Sequence, residues 1–352
     1  MKKGLYAYFG LLDLTSIDSP GHSLYQLGLI DSLRENFNES KFDFFSYYPS
    51  KLVAETKFTD FPKSSLGKLF TKYFTEMINE YKVPLPVILE RIRENKYSTL
   101  YLKARFRNLS TLSKKWKDAQ DFEKIIEVAL SSGYTRENIV ILDTDLSLSD
   151  DFREKYSNSV TILIPSIDFP GVSNRFLSEC VDLNVKEYST RLKTSVFYGN
   201  IDTSKYKSGN SKSELLPSFL QWFDEFHHIQ STHFLVVCKE SDFTFKSEST
   251  LHIPRNNRSA IFEALSKSLV MVNITKDKYN ERKFIPARIY EAMIFGMIPV
   301  SYRFEFISKA FSFETVDDLS EIVKYLNECS TEELIQAYLH FISEYKKILI
   351  SK

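Results

Sequence analysis

FIPARIYEAMIFGMIPVSY, Phe284 to Tyr302, is the stretch whose reading decides the fold. Pro286 suits a helix start, and Ala287, Ile289, Tyr290, Ala292, Met293 and Ile294 carry a helical apolar pattern. Gly296 accepts the left-handed turn that ends a helix, and Met297–Tyr302 is apolar and β-prone. Arg288 and Glu291 stand three apart and share one face of this helix. A guanidinium there can fork onto a diphosphate beside the positive helix end, and a carboxylate one turn on can accept hydrogen bonds from two ribose hydroxyls. The competing reading is a surface salt bridge on an ordinary helix, and the rest of the chain must decide between them.

Working outward, other segments repeat the strand-and-helix rhythm. Strands are expected at Leu5–Leu12, Phe42–Tyr47, Asn138–Asp143, Val160–Ile164, Thr194–Tyr198, His233–Cys238, Leu251–Ile253 and Val270–Asn273. Helices are expected from His22, with Leu24, Leu27, Ile30 and Leu33 buried, near Ser213–Phe226 and Ser259–Ser266, and over Thr331–Lys352. Residues 60–130 read as mostly helix-compatible and polar. Alternation in both halves of a 352-residue chain implies two doubly wound α/β domains. The expected division is 1–188 and 189–332, with 333–352 packing back on the first domain.

Composition excludes several classes. Apolar residues make up 43%, while Gly (10) and Pro (11) are few, so neither disorder nor a collagen-like repeat fits. Three cysteines without a paired framework suit a reducing cytosol and argue against structural zinc. No apolar run matches a membrane span, and the first residues read as a strand rather than a signal peptide. Lys+Arg and Asp+Glu are 46 each, so any nucleic-acid binding must rest on local asymmetry.

That asymmetry lies between Arg91 and Lys117. Nine basic residues, among them Arg91, Arg93, Lys103, Arg105, Arg107, Lys114 and Lys115, face a single acid, Glu94. Tyr97, Tyr101, Phe106 and Trp116 are interleaved. Phosphate-backbone binding with aromatic contacts uses this mixture, and a solvated helical face explains it equally well. Asp145 leaves a strand tip in ILDTDLSLSD and suits a general base, with helix capping or a loose cation site as the alternatives for its acidic neighbours. His22 competes for the base role. Gly199 opens a loop carrying Lys207 and Lys212, a place where amides and ammonium groups can meet phosphate. The glycines form neither GxGxxG nor a P-loop.

These motifs, in this order, resemble the phage DNA β-glucosyltransferases of the T-even type. Thr144-Asp145 resembles their Thr-Asp, and Tyr198-Gly199 with its polar loop resembles their first donor-phosphate loop. His252-Ile253-Pro254 is similar to a Lys-Ile-Pro turn that reads uracil. Asp277-Lys278-Tyr279-Asn280, then Phe284-Ile285, Arg288 and Glu291-Ala292-Met293, resemble the segment holding diphosphate and ribose. The likeness covers residues 138–310 and is weak over the first 130. Lysines replace two forked arginines in the phosphate loop, and the net charge is less DNA-like than duplex binding implies.

The resemblance implies a GT-B fold, two Rossmann-like doubly wound domains facing a central cleft. It implies an inverting transfer from a UDP-sugar, glucose or a related sugar such as a pentose, to 5-hydroxymethylcytosine in double-stranded phage DNA. Asp145 would be the base; Gly199, Lys207, Lys212, His252, Ile253, Pro254, Tyr279, Arg288 and Glu291 would hold the donor. A divalent cation is compatible with this chemistry but not expected. A monomer in the infected host's cytoplasm, away from the membrane, completes the expectation. The rivals are a GT-B enzyme acting on a polysaccharide or glycolipid, and a binding module on an inactive scaffold.

Overall fold

The computed structural model describes residues 2–9, 20–46, 64–103, 117–146, 148–198, 215–222, 225, 234–238, 250–254, 258–274 and 277–350. The chain divides into two compact units: residues 1–16 with 26–176, and residues 17–25 with 177–352. The division therefore falls at Phe176, ahead of the position 188 expected from sequence, and residues 17–25 join the second unit.

In the first unit β1 (Lys3–Tyr8), β2 (Phe42–Ser46), β3 (Ile78–Glu80), β4 (Tyr97–Lys103), β5 (Ile139–Leu142) and β6 (Thr161–Leu163) form one parallel sheet in the order β3-β2-β1-β4-β5-β6. In the second, β7 (Leu192–Tyr198), β8 (Phe234–Cys238), β9 (Thr250–Pro254), β10 (Ser268–Asn273), β11 (Ile298–Tyr302) and β12 (Ser312–Phe313) run in the order β12-β11-β10-β7-β8-β9. Counted from its own first strand, each sheet is 3-2-1-4-5-6, the doubly wound dinucleotide-binding order. The order reverses between β1 and β4 in one and between β7 and β10 in the other, the position at whose carboxyl ends open doubly wound sheets carry their ligand crevice.

Every residue of β10 and β11 is buried, which is why both read as continuous apolar runs rather than alternating ones. The stretch that opened the sequence reading is built as expected: a helix over Ala287–Ile294, Gly296 at φ 74°, then β11. β4 is a finding that the sequence reading missed. The segment YSTLYLK lies beside β1 with Tyr97, Leu100, Tyr101 and Leu102 in the core. Its tyrosines are β-formers packed on a pleated face, so Tyr97 and Tyr101, two of the four aromatics interleaved in the basic segment, are core residues.

The closing helix Thr331–Ile350 belongs to the second unit. Tyr345 meets Tyr290 edge-on at 5.6 Å, and the Lys346 ammonium donates to Ser178 Oγ at 3.2 Å. Cys180 and Cys329 are buried free thiols, and no described helix is long and apolar enough to cross a membrane.

Gly296 has a specific reason to be glycine. A Cβ there would lie 2.3 Å from an Arg191 nitrogen and 2.6 Å from Asn184 Cγ, at a left-handed φ. Gly296→Ala is expected to cost at least about 2 kcal/mol, from backbone strain plus the clash. Thermal unfolding measures it: the midpoint should fall by several degrees, and an unchanged midpoint would show that the neighbours yield.

Candidate active site

The helix Ala287–Ile294 starts after Pro286, and among the described residues no side chain caps its first turn. Arg288 leaves that turn and lays its guanidinium over the Tyr198 ring, 4.9 Å from the centroid. Tyr198 is the last residue of β7, so the stack sits at the carboxyl end of a strand flanking the reversal point. Among the described residues, no carboxylate lies within ion-pair distance of Arg288, and it forms no salt bridge with Glu291. The salt-bridge reading of the pair therefore fails. Glu291 is instead only 3% exposed, one turn further on. Tyr290, between them in sequence, points into the core and stacks on Tyr25 at 5.3 Å.

A cation stacked on an aromatic face is attracted by the ring while its N–H edge stays available to an anion. Arg288 thus offers planar donors at a helix start, where phosphate oxygens are favoured. Tyr198 as the platform is a feature the sequence reading did not assign; a strand-terminal tyrosine ahead of a glycine was the only signal for it.

In the first unit the acidic motif after β5 resolves into two roles. Asp143 is 0% exposed, takes a 2.5 Å ion pair from Arg153, and accepts from the Leu148 amide at 3.4 Å. It is a structural anchor, with Arg153 and the Leu148 amide both on its Oδ2. Asp145 is half-buried, and among the described residues it makes no hydrogen bond or ion pair. The next residue, Leu146, holds φ at 50°, a left-handed conformation that costs a side-chain-bearing residue about 1–2 kcal/mol. The turn that presents Asp145 is therefore maintained against local preference.

The other expected donor residues are distributed as follows. His252, Ile253 and Pro254 end β9, the outer strand of the second sheet, paired only with β8 among the described strands. They are strand rather than turn, with Ile253 buried. Tyr279 is buried in the short helix Asp277–Glu281 against Phe284, 5.0 Å between ring centroids. Gly199, Lys207 and Lys212 lie outside the described residues.

The basic segment changes most. Arg91 pairs with buried Asp43 at 2.7 Å and with Glu80 at 2.6 Å, while Lys3 reaches Asp43 at 2.8 Å and the Tyr97 hydroxyl donates to it at 3.0 Å. The hydrogen bond to Glu80 is the main cause holding the Arg91 guanidinium above its ordinary pKa. Lys3 and Tyr97 begin β1 and β4, so this network clasps the amino ends of the strands, away from the carboxyl-end crevice. Arg91 is thus committed to acidic partners within the first unit. Lys103 is likewise inside, 3% exposed at the end of β4, with its ammonium 4.8 Å from the Tyr8 ring centroid. Arg93 is exposed; Arg105, Arg107, Lys114, Lys115 and Trp116 lie outside the described residues, as does the side chain of His22.

A further group, not signalled by any motif, closes the carboxyl end of the Arg288 helix. The Tyr338 hydroxyl donates to Met293 O at 2.6 Å, Asn184 Nδ2 to Ile294 O at 2.8 Å, and Arg191 to Phe295 O. Arg191 also donates to Ser268 O at 2.8 Å and to Asn184 Oδ1 at 2.9 Å.

No protein-family model matches the sequence, and no curated protein does. Solved structures do match along the full chain. An alpha-glucosyltransferase in complex with UDP-glucose and DNA containing an abasic site is 11% identical, with a TM-score of 0.53 covering 99% of this chain and 94% of that one. The fold is GT-B. An O-GlcNAc transferase mutant of Thermobaculum terrenum is 10% identical at a TM-score of 0.46, with 99% of this chain spanning 64% of that one. An alpha,alpha-trehalose-phosphate synthase (UDP-forming) of Burkholderia vietnamiensis is 9% identical at a TM-score of 0.44, covering 100% of this chain and 97% of that one. These last two similarities are too low to argue from.

Proposed function

We propose that the protein is a UDP-sugar-dependent glycosyltransferase that modifies 5-hydroxymethylcytosine in duplex phage DNA within the host cytoplasm. The observation that carries the donor half is Arg288 over the Tyr198 ring at the sheet reversal, with no carboxylate paired to it among the described residues and Glu291 buried one turn away. Support for a DNA acceptor comes from the ordered motifs of residues 138–310 and from the GT-B neighbour whose structure holds UDP-glucose and DNA.

In this reading the second unit holds the donor. Arg288, with Lys207 and Lys212, meets the diphosphate; Glu291 accepts from the ribose hydroxyls; the backbone at His252–Pro254 reads the uracil. The target base leaves the stack to reach the sugar, assisted by exposed Arg93 and by the basic residues that the sequence places at 105–115. Asp145 takes the proton of the hydroxymethyl group as its oxygen bonds to the anomeric carbon. The bond from that carbon to the diphosphate breaks with its electron pair going to UDP, whose charge Arg288 and the lysines stabilise. One base and a single displacement give inversion.

Incubation with hydroxymethylcytosine DNA and a panel of UDP-sugars, followed by mass analysis of the nucleosides, tests this directly. A hexose or pentose increment on hydroxymethylcytosine is expected; transfer of the sugar to a polysaccharide or glycolipid instead, with release of UDP, would move the protein to another acceptor class. Duplex binding should weaken at least about ten-fold between about 50 and 200 mM salt, because phosphate contacts release counterions. Salt-insensitive binding would remove the DNA backbone from the proposal.

A further inference from the structure

The helix that carries Arg288 and Glu291 has only eight residues, about 12 Å of rise, too short to hold its shape or direction unaided. Its amino end is the working end, so its direction must be imposed from the other. Helices leave their last carbonyls without internal partners, and here Met293, Ile294 and Phe295 each receive a side-chain donor. The donors come from three places: Asn184 on the helix Asn174–Lys186, Arg191 just ahead of β7, and Tyr338 on the closing helix. Asn184 is 7% exposed and Tyr338 0%.

Arg191 is the hub. Beside Phe295 O it binds Asn184 Oδ1, which orients the amide that caps Ile294, and Ser268 O at the amino end of β10. Its charge also faces the negative end of the helix, where a cation is favoured. The helix is thus tied to the first residue of the strand whose far end flanks the crevice. Gly296 is required at this point because any side chain would strike Arg191 and Asn184.

We propose that Arg191, acting with Asn184 and Tyr338, is a positioning residue for nucleotide-sugar binding: it fixes the axis of the Arg288 helix, and so the placement of Arg288 over Tyr198. The proposal rests on the donor-clamp reading of Arg288 and Glu291. A shift of about 1 Å at a positioned group can cost up to a hundred-fold, so a loosened helix end is felt at the clamp.

Two variants of the full chain test this, with UDP as the probe by calorimetry and steady-state kinetics alongside. Arg191→Lys keeps the charge but cannot reach three acceptors in one plane. Tyr338→Phe deletes one hydroxyl and keeps the packing. The UDP dissociation constant and the UDP-sugar KM should rise about ten-fold in the first and about three-fold in the second, with DNA affinity unchanged. A purely structural role gives a different result, since loss of folded molecules lowers the apparent kcat and leaves both KM values alone. UDP affinity within two-fold of wild type in both variants would overturn the positioning role. If Arg191→Lys does not fold, Tyr338→Phe decides. If the wild-type protein binds no UDP, the clamp reading itself falls and the positioning role with it.

Discussion

Asp145→Ala is expected to leave a folded protein that binds UDP and duplex DNA with wild-type affinity but transfers sugar about 10²- to 10⁴-fold more slowly, the usual contribution of a positioned general base. The expectation comes from the contrast within one acidic motif. Asp143 is spent on Arg153 and the Leu148 amide, whereas Asp145, two residues on, has neither kind of partner among the described residues. The matching substitution Asp143→Ala should therefore act on stability, because it strands the Arg153 guanidinium beside a newly apolar site. Transfer rates and unfolding midpoints measured on both variants separate the two roles. Full transfer by Asp145→Ala would end its assignment as the base.

Arg288→Ala should lower kcat/KM for the UDP-sugar about 10²- to 10³-fold, the scale seen when one donor to a developing negative charge is removed. Arg288→Lys should recover little of this. An ammonium is a point charge that cannot both sit over the Tyr198 ring and fork onto two phosphate oxygens. Stability should hardly change in either variant, because Arg288 makes no ion pair among the described residues whose loss would leave a buried charge. Kinetics in UDP-sugar at fixed DNA, with duplex affinity as the control, provides the check. Wild-type kcat/KM in the alanine variant would send the donor site elsewhere.

The doubly wound pattern was legible wherever the local signal was strong. β5, β10 and β11 are short apolar runs bounded by turn residues, and the Arg288 helix carries its start and its glycine stop in the sequence. β4 was not legible, because YSTLYLK lies inside a basic, aromatic stretch that also fits a nucleic-acid face. Only its position between β1 and β5 shows that Tyr97 and Tyr101 are core and that Lys103 turns inward.

Arg288 and Glu291 show where the boundary between the two kinds of information falls. Their spacing of three places them on one side of a helix, and that follows from the 3.6-residue turn alone. The same spacing serves a salt bridge or a clamp, and nothing local separates the two. Tyr198, ninety residues away in the chain, draws Arg288 onto its ring, and Arg191, Asn184 and Tyr338 hold the helix by its carboxyl end. Arg91 shows the converse: a cation in a basic run on the helix Leu85–Arg93 is paired because Asp43 of β2 and Glu80 of β3 lie beside it. Periodicity and turn chemistry act over a few residues and so specify elements. A charged group's partner is set by which elements pack together, so whether Arg288, Asp145 and Arg91 find an ionic partner among the described residues was decided by tertiary structure.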